Sequence, residues 1–200
     1  IIQMGDRMKK AGVWILMAFA LVLIVSCETG INDPPGDGDP LDYRAEMRSF
    51  VVGIANYSRG YDSDFIIIPQ NGNELLTMDG ESDGELAAQY AAAIDGVGRE
   101  DLRYGYINDD EQTPAIERVY MEGFLNRAEM AGVEVLVTDY CTTQSKVDDS
   151  YQAAEDAGYI SFAAERELSA IPAYPVTPRD VHVGDVQNLS QARNFLYLLD

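Results

Sequence analysis

The chain is poor in the residues that most often carry redox or metal chemistry: 200 residues hold one histidine and two cysteines. With His182 alone, a His-rich zinc site is excluded, and a Ser-His-Asp hydrolase is disfavoured. Cys27 and Cys141 are too few for metal-cluster spacing, and once Cys27 is modified no internal disulfide can form. Basic residues are also scarce, 14 against 34 acidic ones, for a net charge of −20. A surface that acidic repels phosphate backbones, so no nucleic-acid partner is expected. It is compatible with a cationic ligand. No metal and no cofactor is expected, and any acid–base chemistry must fall to carboxylates.

The sequence opens on Ile1, and Met8 makes the better start of translation. Lys9 and Lys10 follow it, then an apolar run over 13–25, then Ser26 and Cys27. This is the order of an export signal: positive n-region, apolar h-region, small residue before the cut. Ile24-Val25-Ser26-Cys27 adds the aliphatic residue and cysteine of a bacterial lipobox. The expectation is a signal peptide over 1–27 whose Cys27 is lipidated. The apolar run is short of the roughly 20 residues a spanning helix needs. Residues 28–41, rich in Pro, Gly and Asp, read as a flexible tether. The domain behind it would be held at a membrane outside the cytoplasm, in the cell envelope, without spanning the bilayer.

About 160 residues remain, enough for one core. Helical periodicity runs over 42–59, through Met47, Phe50, Val51, Ile54 and Tyr57, and stops at Gly60. Residues 65–69 form a short apolar run, as for a strand buried on both faces. An Ala-rich helix is expected over 85–94, and a strand near 94–97 or 102–106. Thr113-Pro114 suggests a cap and first helical position, opening a helix that ends at Gly132. Strands over 133–139 and 159–163 flank a helix over 146–157, and 189–199 reads as helical. Helices alternating with short buried strands predict an α/β fold with parallel strands. Chemistry in such folds gathers at the carboxyl ends of strands. Polar groups stand at each of them: Gln70-Asn71, Arg99-Glu100-Asp101, Asp139-Tyr140 and Glu165-Arg166.

Three segments, Phe65-Ile-Ile-Ile-Pro-Gln-Asn-Gly72, Ile94-Asp-Gly-Val-Gly-Arg-Glu-Asp-Leu-Arg-Tyr104 and Val135-Leu-Val-Thr-Asp-Tyr140, resemble glycoside hydrolase family 114. These are the endo-α-1,4-polygalactosaminidases and their bacterial relatives. The resemblance covers about residues 42–168 and implies a (β/α)8 TIM-barrel type of fold. It also implies a polysaccharide substrate, with an α-1,4-linked galactosamine polymer as the specific expectation. The family's Gly-x-x-x-Glu-Asp-Leu-x-Tyr motif puts a catalytic acid/base on Glu100. Glycoside cleavage needs one carboxylic acid to protonate the leaving oxygen and a second carboxylate as nucleophile or base. The resemblance further implies substrate contacts from Gln70, Asn71, Asp139, Tyr140 and Tyr104.

One departure stands out. In the family's usual order, a strand carrying the partner Asp precedes the helix that here begins near Asp42, where this chain has its tether. The expectation is therefore a partial barrel over 42–200, with further strands encoded downstream. The alternative is a glycan-binding surface lipoprotein without catalysis.

Overall fold

In the computed structural model, residues 41–180 and 184–199 are described. The leader, Cys27 and tether residues 28–40 lie outside the described residues. The chain enters on helix α1, Tyr43–Arg59, whose first free amides are capped by the Asp42 carboxylate accepting from Arg44 N and Ala45 N, as short polar side chains do at helix starts. A short helix, α2 (Ala88–Ala91), precedes strand β1 (Gly96–Glu100). Helix α3 (Ala115–Met130), strand β2 (Glu134–Tyr140), helix α4 (Gln144–Ala157) and strand β3 (Ile160–Ala164) follow in strict alternation. The sheet order is β1-β2-β3, parallel throughout. This is a mixed α/β fold with a small parallel sheet, open at its edges.

Strand alternation divides the side chains between two faces. Val97, Val135 and Val137 point toward the helices, where they join Leu76, Tyr90, Phe124 and Leu125 in the main core. Leu136, Tyr140, Ile160 and Phe162 point the other way. That second face is covered by the end of the chain: Leu189 and Ala192 sit on Leu136 and Ile160, and Phe195, Tyr197 and Leu199 border Tyr140 and Phe162.

Four sequence expectations change. Residues 65–69 are not buried on both faces: Ile67 is buried, whereas Ile66 and Ile68 are 45% and 38% exposed. The segment runs beside β1 as an open edge, with Asp95 N donating to Ile67 O at 2.9 Å and Gly98 N to Pro69 O at 2.8 Å. Pro69 has no N–H, so the ladder stays incomplete. Thr113 does not cap α3; Pro114 holds that position, and the Thr113 hydroxyl donates to Asp101 O at 2.7 Å. Residues 189–199 form a single 3-10 turn, Leu189–Gln191, and then extended chain. Phe195, Tyr197 and Leu199 recur every second residue, which suits a strap lying on a sheet rather than a helix. The Ala-rich helix shrinks to α2, and of the two places expected for the next strand, 94–97 and 102–106, β1 overlaps the first.

The inward face of α1 is also not the one its periodicity marked. Arg48 and Ala55 are buried, and the Arg48 guanidinium donates to Thr77 O at 3.1 Å. Of the residues the periodicity marks, Val51 is half-buried against the core, whereas Met47, Phe50, Ile54 and Tyr57 remain exposed. No helix among the described residues is long and apolar enough to cross a membrane.

Candidate functional site around Glu100

Glu100 ends β1 on the face turned away from the helices, and its carboxylate is held on both oxygens. Asn71 Nδ2 donates to Oε2 at 2.7 Å, and the Tyr140 hydroxyl donates to Oε1 at 2.9 Å. Asn71 also accepts from the Glu100 backbone N–H through Oδ1 at 3.1 Å. One amide side chain thus grips both the backbone and the carboxylate of Glu100. Asn71 achieves this from the left-handed region, at φ 58°, which Asn tolerates better than most residues.

Gln70 pairs with Gly98 and lays its amide over that glycine: a Cβ there would lie 1.9 Å from Gln70 Oε1. The bare backbone at Gly98 therefore makes room for an exposed amide on the same face as Glu100. Gln70, Asn71 and Glu100 thus stand together at one end of the sheet with Tyr140.

Tyr140 serves the site through its hydroxyl rather than its ring. The ring is buried, and the Arg166 guanidinium sits over it at 4.2 Å. Burial, and next the Glu100 charge, push the phenol well above its ordinary value, so it stays a donor to the carboxylate.

Asp139 and Tyr104 stand elsewhere. Asp139 alternates with Thr138 and Tyr140, so its side chain points toward α4 on the opposite face. It is 1% exposed. Its Oδ1 accepts from Arg103 N at 2.8 Å and Tyr104 N at 3.3 Å, and its Oδ2 from Ser150 Oγ at 2.6 Å. Burial nonetheless pushes its pKa up. These contacts make Asp139 a clamp for the loop after β1, not a ligand for substrate hydroxyls. The Tyr104 ring is buried with Cys141, Val147 and Ala163, and its hydroxyl donates to Asp149 at 2.8 Å. It offers no free ring face for a sugar.

Three further residues border Glu100. Asp101, at φ 60°, directs Oδ1 to Arg166 at 3.5 Å. Burial raises its pKa, the Arg166 charge opposes that, and the Glu100 charge adds to it. Gly105, at φ 113°, lets these groups converge: a Cβ there would lie 2.6 Å from Asp101 Oδ1 and 2.9 Å from Tyr140 Cβ. The strap brings Tyr197 close enough for the Glu100 charge to raise its pKa, second to burial. Strand-end polarity in the sequence marked Asp101 and Arg166; nothing in the local pattern marked Tyr197.

Cys141 is a free, buried thiol whose pKa burial pushes up to about 12, so it is inert as a nucleophile. No group of three or more His, Cys, Asp or Glu side chains among the described residues is placed to share a metal ion.

No model of a known protein family matches the chain. It is similar to an uncharacterized protein of Methanocaldococcus jannaschii, 32% identical over 136 residues, which are 63% of this chain and 37% of the relative. An uncharacterized protein of Deinococcus radiodurans is 30% identical over 128 residues, 64% of this chain and 38% of the relative. One of Thermotoga maritima is 32% identical over 130 residues, 62% of this chain and 37% of the relative. The chain thus spans less than two-fifths of the length of each of these curated relatives.

Proposed function

We propose that this chain is the Glu100-bearing part of an exported, lipid-anchored glycoside hydrolase acting on a polysaccharide, with an α-1,4-linked galactosamine polymer as the substrate of first choice. In this reading the parallel strands are part of a (β/α)8 barrel, and the carboxyl end of the sheet, where Gln70, Glu100 and Tyr140 stand, is the mouth at which substrate binds. One observation carries the proposal: Glu100 stands at the carboxyl end of a parallel strand, and two side chains from neighbouring strand ends fix it. Such pre-positioning is what a glycosidic acid/base requires. Asn71 and Tyr140 position Glu100, and the Gln70 amide is free to hydrogen-bond a sugar hydroxyl. The net charge of −20 favours a polymer that carries protonated amines. The second carboxylate that hydrolysis needs would come from polypeptide beyond the strands described.

A second reading, a glycan-binding lipoprotein, is favoured by the orientation of Asp101. This neighbouring carboxylate turns onto Arg166 at 3.5 Å instead of facing Glu100 across open space. Release of reducing ends separates the two. The full-length protein, incubated with polygalactosamine, should release them if it is a hydrolase. Saturable binding without release assigns the second reading.

A further inference from the structure

Both side chains that donate to the Glu100 carboxylate are neutral, the Asn71 amide and the Tyr140 hydroxyl. The positive charge of this network stands one residue further out, on Arg166, whose guanidinium lies 4.2 Å from the centre of the Tyr140 ring. The loop after β1 fixes it there. Arg166 Nε donates to Asp109 Oδ1 at 2.8 Å, Nη2 donates to Gly105 O, and Asp101 Oδ1 stands 3.5 Å from Nη2. The same loop pins the backbone of Tyr140: Tyr140 N donates to Tyr104 O at 3.1 Å, and Asp110 N to Tyr140 O at 3.0 Å. Phe162, Ala164 and Leu168 pack on the ring from β3 and the turn beyond it. One loop thus sets the guanidinium and the ring against each other. Gly105 permits the approach. A Cβ there would lie 2.9 Å from Tyr140 Cβ and 3.2 Å from Arg166 Nη2, at a φ of 113° that glycine alone adopts readily, so a side chain at this point would crowd both groups.

We propose that Arg166 is a positioning residue for Glu100 that acts through Tyr140: it holds the ring so that the hydroxyl meets Oε1, and its charge strengthens that hydroxyl as a donor. A cation over an aromatic face is attracted to the ring, and a nearby positive charge favours release of the phenol's proton toward an acceptor. The titratable groups around the pair are Glu100 on β1, Asp101 and Asp109 on the loop, and Tyr197 on the strap. Burial, Glu100 and Asp101 all hold the phenol neutral, and Arg166 opposes them. The role in turnover rests on Glu100 being the acid/base proposed above; the contact with Tyr140 does not. A hydrogen bond to the charged carboxylate favours that form over the neutral one, and a glycosidic acid/base passes through both. The plainer role for Arg166 is a brace for the loop, through Gly105 and Asp109 alone.

Difluorotyrosine at position 140 of the full-length protein supplies one phenol that fluorine NMR can titrate apart from every tyrosine. In the Arg166→Met background its ionisation constant should fall about threefold or more, the scale of one cation–π contact. Arg166→Lys, which keeps the charge, should fall less. Asp109→Asn removes a partner of the loop but leaves the cation over the ring, and should not lower the constant. The Arg166 side chain is 43% exposed, so its substitution leaves the core intact, which circular dichroism checks. An unchanged titration in Arg166→Met, or an equal fall in Asp109→Asn, would overturn the proposal and leave Arg166 a loop brace. These titrations need no substrate, so they decide the role of Arg166 even in a protein that releases no reducing ends, a result that would count against the Glu100 reading instead. In a cleaving protein, Arg166→Met should displace the pH profile of reducing-end release, and should add nothing in the Tyr140→Phe background. An equal displacement in that background would also overturn the route through Tyr140.

Discussion

Removing the Asp139 carboxylate should damage the fold without touching the proposed chemistry. Asp139→Ala would leave two backbone amides and the Ser150 hydroxyl, now at 2.6–3.3 Å from the carboxylate, without an acceptor in a site 1% exposed. Each buried donor left unpaired costs about 1–3 kcal/mol, and relaxation or an entering water recovers part of it. The expected loss is therefore about 3–5 kcal/mol, equivalent to a fall in Tm of roughly 8–15 °C for a domain of this size. Asp139→Asn keeps the volume and one acceptor and should lose only about 1 kcal/mol. The pH dependence gives an independent handle. Burial raises the folded-state pKa of Asp139 above its unfolded value. Its contribution is therefore fully present below the unfolded pKa, about 3.9, and is lost as pH rises through the folded value. The stability advantage of wild type over Asp139→Asn should thus be largest in acid and shrink toward neutrality. Thermal melts of the three proteins between pH 3 and 8 measure both effects. An Asp139→Ala protein that melts with wild type but has lost glycan cleavage would refute the structural role. An advantage that grows with pH would refute the sign.

The remaining predictions concern the site and the thiol. Asn71→Ala should lower turnover about 10–100-fold through loss of Glu100 positioning, of the order expected for removing one charge-assisted hydrogen bond. Asn71→Gly, which removes the left-handed strain at φ 58°, should recover stability but not turnover. Tyr140→Phe keeps the ring under Arg166 and deletes only the hydroxyl bonded to Glu100. It should cost about 0.5–1.5 kcal/mol in denaturant titration while changing the pH profile of activity. Cys141 should label with maleimide only as the chain unfolds, because the thiol is buried and its pKa lies at about 12; labelling at the rate of a free peptide thiol would contradict that.

The sequence displays its helices and buried strands more openly than it displays direction. Gly60, Gly132 and Gly158 punctuate α1, α3 and α4, and the strand β2 lies within one residue of where its apolar run suggests. What periodicity cannot convey is which face is inward. The apolar period of α1 looks like a core face, yet Arg48 and Ala55 are buried instead. β2 is buried on both faces, so its pattern conceals the alternation that sends Tyr140 toward Glu100 and Asp139 toward Ser150. For the same reason, polar residues that share a strand end divide between a site and a scaffold. Asn71, Glu100 and Tyr140 meet, and Tyr104 does not. The strap over 189–199 was hidden because Leu189, Ala192, Phe195 and Leu199 also fit a helical spacing, and only contact with Ile160, Phe162 and Leu168 favours the extended form.

Everything proposed for function turns on Glu100. The direct measurement is reducing-end release from polygalactosamine by the full-length protein and by its Glu100→Gln variant, with binding of the same polymer followed in parallel. The amide keeps the side chain's size and can still accept from Tyr140, so the variant should fold and bind as wild type does. Its hydrolysis should fall by about 10³-fold or more, as when an essential acid/base is removed. Turnover equal to wild type in a folded Glu100→Gln protein would contradict the assignment.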